Sequence, residues 1–281
     1  MCGCGSHLGY EQSVVQLSGS RQNTGLFARK QLSRFVICYH EPMNDDLTPE
    51  HLLQTMHEGH RALPSERPPL VCKPVKIESW RIFKIMSEFV EGFNIIRRYG
   101  LAATFFGSAR ASFEDTVYKD ATELAERLAK KGFAIITGGS SGIMQAANRG
   151  AFEVGGASVG LNISLPDVQS YNPYLTDRFV FDHFFVRKVM LTYASEVYVY
   201  FPGGFGTLDE FFEIVTLVQT KKIKNVPIVL VGKKFWEPLL SFIEKTLYEE
   251  HQAINKDDLK LYTLVDTVDE AYDYILIHVT C

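Results

Sequence analysis

Residues 201–210 read FPGGFGTLDE. The segment leading into them, Glu196 to Phe201 (EVYVYF), is β-branched and aromatic, as suits a buried strand. The segment leading out, Thr207 to Gln219 (TLDEFFEIVTLVQ), carries apolar residues at helical spacing. The glycines therefore fall where a strand passes into a helix. The first N–H groups of a helix have no partner inside it, and the helix dipole adds partial positive charge there. Glycine lets the main chain come close to a ligand, so Gly203, Gly204 and Gly206, with the Thr207 hydroxyl, read as a cradle for a phosphate. There is no Lys-Ser/Thr pair of a Walker loop and no G-x-G-x-x-G. A phosphate site of another kind is expected.

Outward from this junction, strand-like and helix-like segments alternate from Leu101 to the end of the chain. LAATFFGSA precedes a helix reaching Lys131, and FAIITGG a helix reaching about Val154. ASVGLNI follows, then a loop and the region RFVFDHFFVRKVMLTYA. EVYVYF leads into its helix, VPIVLVG into a helix running through Tyr248, and LKLYTLVD into a closing helix from Val268. Repeated β-α units with near-continuous apolar strands predict a doubly wound, Rossmann-like α/β fold, a parallel sheet of about seven strands with helices on both faces. Ligands of such sheets gather beyond the carboxyl ends of the strands. Three strand ends are rich in glycine: Gly107-Ser108-Ala109-Arg110, Gly138-Gly139-Ser140-Ser141-Gly142 and the stretch at 202–207. Together they describe a phosphorylated, hydroxyl-rich ligand, for which a nucleotide is the natural candidate.

Before this α/β region, residues 1–75 lack sustained periodicity and read as an extension and linker, with a proline-rich stretch from Leu63 to Pro74 (LPSERPPLVCKP). Within them Phe35 to His40 suggests a strand and Thr48 to His60 a helix. Residues 76–281 make the α/β domain, which opens with a helix over Ile77 to Arg98. Its broad apolar face carries Trp80, Phe83, Ile85, Met86, Phe89, Val90 and Phe93.

The 281 residues are 46% hydrophobic and 22% charged with a net charge of -4. That balance predicts a soluble globular protein with no membrane partner, and its lack of a basic excess argues against nucleic acid. Cys2, Cys4, Cys38, Cys72 and Cys281 are odd in number and scattered, and no signal peptide opens the chain, which fits a reducing cytoplasm. Cys2, Cys4 and His7 lie close together, but no second cluster completes a ligand set. No metal is expected.

The motifs FGSAR, TGG-SSGIMQAANRGA, SVGLNISLP, NPY, FFVRKVM and PGGFGTLDE, in this order, resemble those of the LOG ("Lonely Guy") family, often mislabelled as lysine decarboxylases. That family's signature is P-G-G-x-G-T-x-x-E preceded by an Arg-Lys pair, here Pro202 to Glu210 and Arg187-Lys188. The resemblance runs from about Trp80 to the C-terminus and is greatest to longer members with an N-terminal extension. It implies hydrolysis of the N-glycosidic bond of nucleoside 5'-monophosphates to free base and ribose 5-phosphate, without metal or organic cofactor, by a homodimer or higher homo-oligomer. It also implies catalytic roles for Glu210 and Arg187. One departure stands out, because longer members carry Gly-Pro-Gly-Ile-Met-Glu where this chain has Ser140, Ser141 and then Gly142-Ile143-Met144-Gln145, so a carboxylate is missing at Gln145.

Each assignment has a plainer rival. Thr207 to Glu210 also spells a T-x-x-E capping box, in which the glutamate folds back on its own helix start. In the chemical reading, Glu210 stabilises positive charge at the anomeric carbon and activates water. Arg187 contacts the phosphate or assists departure of the base, or is a surface arginine. Lys188 is a lesser candidate for the same site. Gly107 and Ser108 line the sugar side and Gly138 and Gly139 the neighbouring wall, while Met144 packs either on the base or in the core. His183 tempts as a proton donor, although a lone histidine in an apolar stretch is more often structural. The apolar face of the first helix and Phe211-Phe212 are expected contact surfaces between copies. A carrier of nucleotide or molybdenum cofactor on the same scaffold is the alternative to an enzyme. A pyridoxal phosphate decarboxylase is disfavoured, since no lysine sits in a recognisable cofactor context.

Overall fold

Successive residues of a strand point to opposite faces, so a strand apolar throughout needs cover on both sides. In the computed structural model, which describes residues 78–165 and 172–279, Ala102–Phe106 (β1) shows this directly. Ala103 and Phe105 enter one core and Ala102 and Phe106 the other, all of them buried. The same division holds in Val197–Tyr200 (β5), where Val197 and Val199 face one layer and Tyr198 and Tyr200 the second.

The remaining strands are Ala134–Thr137 (β2), Ser158–Ile163 (β3), Asp177–Phe181 (β4), Ile228–Val231 (β6) and Thr263–Val265 (β7). All pair in parallel, in the order β4-β3-β2-β1-β5-β6-β7. One face is covered by Thr116–Lys130 (α2), Ile143–Glu153 (α3) and Val268–His278 (α7). The other is covered by Ser79–Ile96 (α1), Phe184–Tyr193 (α4), Phe205–Gln219 (α5) and Lys233–Phe242 (α6). The expected doubly wound sheet of seven strands is thus the observed one. Its strand order reverses between β1 and β5, and a crevice opens there at the carboxyl edge.

Three local readings shift. The region RFVFDHFFVRKVMLTYA divides into β4 and α4. The helix expected through Tyr248 continues from α6 as a π-helical turn, Ile243–Glu250. The strand expected in LKLYTLVD shortens to three residues, because a capping box between Asn255 and Asp258 holds Lys256–Lys260 in a 3₁₀ turn.

The first helix differs most from its sequence pattern. Trp80, Phe83, Met86, Val90 and Phe93 are exposed, Ile85 and Phe89 half-buried, and the buried side chains are those of Glu88, Ile95 and Ile96. Gly92 brings this helix against α4, since a Cβ there would lie 2.6 Å from Met190. Phe211, expected at a contact surface, is instead fully buried among Tyr200, Trp236 and Tyr262, and only Phe212 of that pair reaches solvent. Helical geometry accounts for this, because neighbours about 100° apart on α5 cannot share one face.

The strand read at 35–40, the helix at 48–60, the proline-rich stretch and the Cys2, Cys4, His7 trio lie outside the described residues. Among the described residues no helix is long and apolar enough to cross a membrane, and no group of three or more His, Cys, Asp or Glu side chains is placed to hold a metal ion.

Candidate active site

The crevice between β1 and β5 is a cleft of about 820 Å³. Of the residues singled out in the sequence, Gly107, Ser108, Gly138, Met144, Arg187, Gly203, Gly204, Gly206, Thr207 and Glu210 line it. Gly139 and Lys188 do not.

The floor is built by short backbone links between loops. The Ser108 N–H donates to the Pro202 carbonyl at 3.0 Å, joining the ends of β1 and β5, and the Ile143 N–H donates to the Ser108 carbonyl at 2.9 Å. Gly142 allows this approach: its φ is +68°, and a Cβ would lie 2.1 Å from the Ser108 carbonyl oxygen. The neighbouring loop hangs on a buried polar network. Asn148 accepts from the Thr137 hydroxyl at 2.6 Å and from the Asn172 amide at 3.0 Å, and donates to Ser158 at 2.9 Å. The Gly139 N–H donates to the Thr137 hydroxyl, and Asn162 donates to the Gly139 carbonyl at 2.8 Å. Gly139, at a φ of +69°, is therefore a buried turn residue behind the wall. Asn148, Asn162 and Asn172, which build this network, carry no spacing signal that marks them in the sequence.

The helix α5 starts earlier than its sequence suggests. Gly204 is the N-cap and Phe205 the first helical residue, so Thr207 occupies the third position. The Gly204 carbonyl accepts from the N–H groups of Thr207 at 3.0 Å and Leu208 at 3.1 Å. The N–H groups of Phe205 and Gly206 have no acceptor among the described residues, and a Cβ on Gly204 or Gly206 would meet nothing within 4 Å. At Gly203 a Cβ would lie 2.1 Å from the Thr207 hydroxyl oxygen. An open, amide-lined cavity end thus lies beside that hydroxyl, in the form that binds anions.

This placement removes the capping-box reading of Glu210, since Thr207 is inside the helix and Glu210 is one turn further on. Its side chain is turned inward, with the residue 9% exposed, and Oε2 is buried without a hydrogen-bond partner. Burial pushes its pKa up to about 7. Glu213 and Asp209 add to that rise, and Lys188 and Arg187 oppose it. Position and proton affinity together suit a group that gains and loses a proton near neutrality.

Arg187 enters from α4. Its Nε donates to the Leu161 carbonyl at 2.7 Å, and its guanidinium lies against Gly138, where a Cβ would stand 2.3 Å from Nη2. Burial lowers its pKa, and the charge on Glu210 works the other way. Met144 lies beside it, its sulfur 2.8 Å from the same Cβ position. Lys188, one residue on, points about 100° away around the helix. It meets Asp209 at 2.6 Å, Glu213 at 2.9 Å and Glu210 at 3.7 Å, outside the cleft. Phe184, Phe205, Phe235, Asp209 and Arg110 also line the cleft. Phe184, Phe205 and Phe235 have no mark in the sequence, because nothing distinguishes an aromatic residue of a cleft from one of a core until the sheet is assembled.

His183 is the N-cap of α4, and its Nδ1 lies 2.9 Å from Glu88 of α1. Glu88 also accepts from the N–H groups of Asp182 and His183, both at 3.2 Å. Asp182 pairs with Lys84. Lys84, Asp182 and His183 border a separate cavity of about 360 Å³ with Trp80 and Arg81, and the bond of His183 to Glu88 fits its structural reading. Gln145 is half-buried and does not line the cleft.

A family profile described as possible lysine decarboxylase matches residues 144–275. The cytokinin riboside 5'-monophosphate phosphoribohydrolase of Rhodococcoides fascians is 28% identical over 132 residues, 45% of this chain and 65% of that protein. The rice enzyme named cytokinin riboside 5'-monophosphate phosphoribohydrolase LOG is 28% identical over 158 residues, 54% of this chain and 63% of its own length. The aligned region thus spans just under two thirds of both curated relatives. Among solved structures, a molybdenum cofactor carrier protein from Chlamydomonas reinhardtii is 23% identical, with a TM-score of 0.48 over 63% of this chain and 97% of that one. Residues 144–275 are thus similar to the family described as possible lysine decarboxylase, and the chain is similar, at 28% identity, to curated cytokinin riboside 5'-monophosphate phosphoribohydrolases.

Proposed function

We propose that the protein hydrolyses the N-glycosidic bond of nucleoside 5'-monophosphates, giving the free base and ribose 5-phosphate. The observation that carries this reading is a single helix start that offers open N–H groups to an anion, with a buried, half-unpartnered carboxylate one turn further in. The 5'-phosphate sits on the N–H groups of Phe205 and Gly206 and the Thr207 hydroxyl. The pentose then lies toward Glu210, and the base toward the apolar side formed by Met144 and Phe184.

The C1'–N bond breaks with its electron pair going to the base, and positive charge builds at C1'. Ionised Glu210 stabilises that charge and takes a proton from the attacking water, whose oxygen bonds to C1'. A proton returns to the base nitrogen as it leaves. Arg187, held by Leu161 and Gly138, supplies fixed positive charge toward the phosphate or the departing base. The curated relatives are named for this class of reaction, and no cofactor is called for. A homo-oligomer is part of the same proposal, with the exposed stripe Trp80, Phe83, Met86, Val90 and Phe93 as the contact face.

The test is a panel of AMP, GMP, CMP and an isopentenyl-adenosine monophosphate, with free base and ribose 5-phosphate quantified. Stoichiometric release of both from at least one member is expected. Tight binding without release would overturn the enzyme in favour of a carrier.

A further inference from the structure

Four charged side chains surround Glu210: Arg187 and Lys188 from α4, and Asp209 and Glu213 from α5. From β5, the Tyr200 hydroxyl donates to the Glu210 backbone carbonyl at 3.1 Å. With ordinary charges, two positive and two negative, the four groups sum to zero. Whether Glu210 is ionised therefore depends on the balance within this shell.

Lys188 is the member placed to set that balance. Its ammonium is held by Asp209 at 2.6 Å and Glu213 at 2.9 Å, both closer than Glu210 at 3.7 Å. Two anchors that are not the reacting carboxylate keep the cation in place whichever state Glu210 adopts. Its side chain is 20% exposed, so water screens the cluster only in part. Arg187, by contrast, faces the cleft and is available to ligand.

We propose that Lys188 is a positioning residue which, clamped by Asp209 and Glu213 behind the cleft, keeps Glu210 ionised for catalysis without touching substrate. This rests on the proposed hydrolysis. The Arg-Lys pair divides accordingly: Arg187 acts on the ligand side of Glu210 and Lys188 on its protein side. Removing the lysine leaves the shell with excess negative charge. Removing the charge of Glu213 leaves it with excess positive charge.

The experiment measures kcat against pH for the parent, Lys188→Met, Lys188→Arg and Glu213→Gln. In parallel, the Glu210 carboxyl is titrated by carbon NMR in glutamate-labelled protein, its signal assigned by its loss in Glu210→Gln. Lys188→Met is expected to move the acidic limb and the Glu210 titration upward by about one pH unit or more, a fall of about tenfold in the ratio of ionised to protonated carboxylate at a given pH. Lys188→Arg restores most of the parent profile. Glu213→Gln moves both readouts downward, and stands on its own should Lys188→Met not fold. Unchanged titration in Glu213→Gln, or shifts of the same sign in both charge-removing variants, would overturn the proposal. Absence of turnover in the parent would sink the hydrolytic reading instead, while the NMR titration would still decide the role of Lys188.

Discussion

Glu88 and Glu210 are buried to nearly the same depth, 7% and 9% exposed, yet they are held in opposite ways. Glu88, on α1, is surrounded by donors: two backbone N–H groups at the start of α4 and the His183 ring. Glu210, one turn into α5, has one oxygen near Lys188 and the other buried without a partner. A buried acceptor left unpaired costs about 1–3 kcal/mol. The first glutamate ties two helices together, and the second keeps its bonding capacity for something outside the chain. Depth of burial alone does not separate a structural carboxylate from a chemical one. The inventory of donors does.

The strongest way to break this contrast is Glu210→Gln. The amide preserves shape but removes the charge and the base, so kcat should fall by about 10²–10⁴-fold, while binding of ribose 5-phosphate by calorimetry stays within a few fold. Equal loss in both would mean that the carboxylate serves folding or binding rather than the chemical step.

Glu88→Ala should do the reverse. It strands the N–H groups of Asp182 and His183, and a loss of about 1–3 kcal/mol is expected, seen as a fall of several degrees in the thermal midpoint. Turnover at a temperature where the variant remains folded should stay close to that of the parent.

The smallest effect sharpens the contrast through pH. Glu210 has a folded pKa of about 7 against an ordinary value of 4.5, so between these values the native state binds more protons than the unfolded chain. Stability then falls as pH rises from about 4.5 to about 7, and the full penalty persists above. Glu210→Gln should therefore be more stable than the parent by about 1–3 kcal/mol at pH 8. That gain should vanish near pH 4.5. Denaturant melts of both proteins at the two pH values check this. An inactive variant more stable than its parent is the pattern of a site that gives up stability for function.

The alternation of strands and helices was legible in the sequence, because a strand such as VYVY and a helix such as FFEIVTLVQ differ in residue type and period whatever surrounds them. The strand-end glycines were legible as well, since a turn closed to side chains restricts its residues directly. The region around RFVFDH was harder to divide, being short and apolar throughout. Gly139 and Lys188 were assigned to the cleft, and the structure moves both behind it. Neighbours of a true lining residue share its motif but not its direction.

The chain's own pattern of apolar spacing and glycine was enough to specify a parallel α/β sheet and the rim on which a phosphate would settle, because those features follow from local backbone chemistry. Assembly alone could decide which carboxylate lacks a partner. Donors to Glu88 come from residues 94 and 95 positions away, and the charges around Glu210 come from two separate helices. Such distances through the chain leave no local mark, and they acquire meaning only when packing brings the segments within a few ångströms.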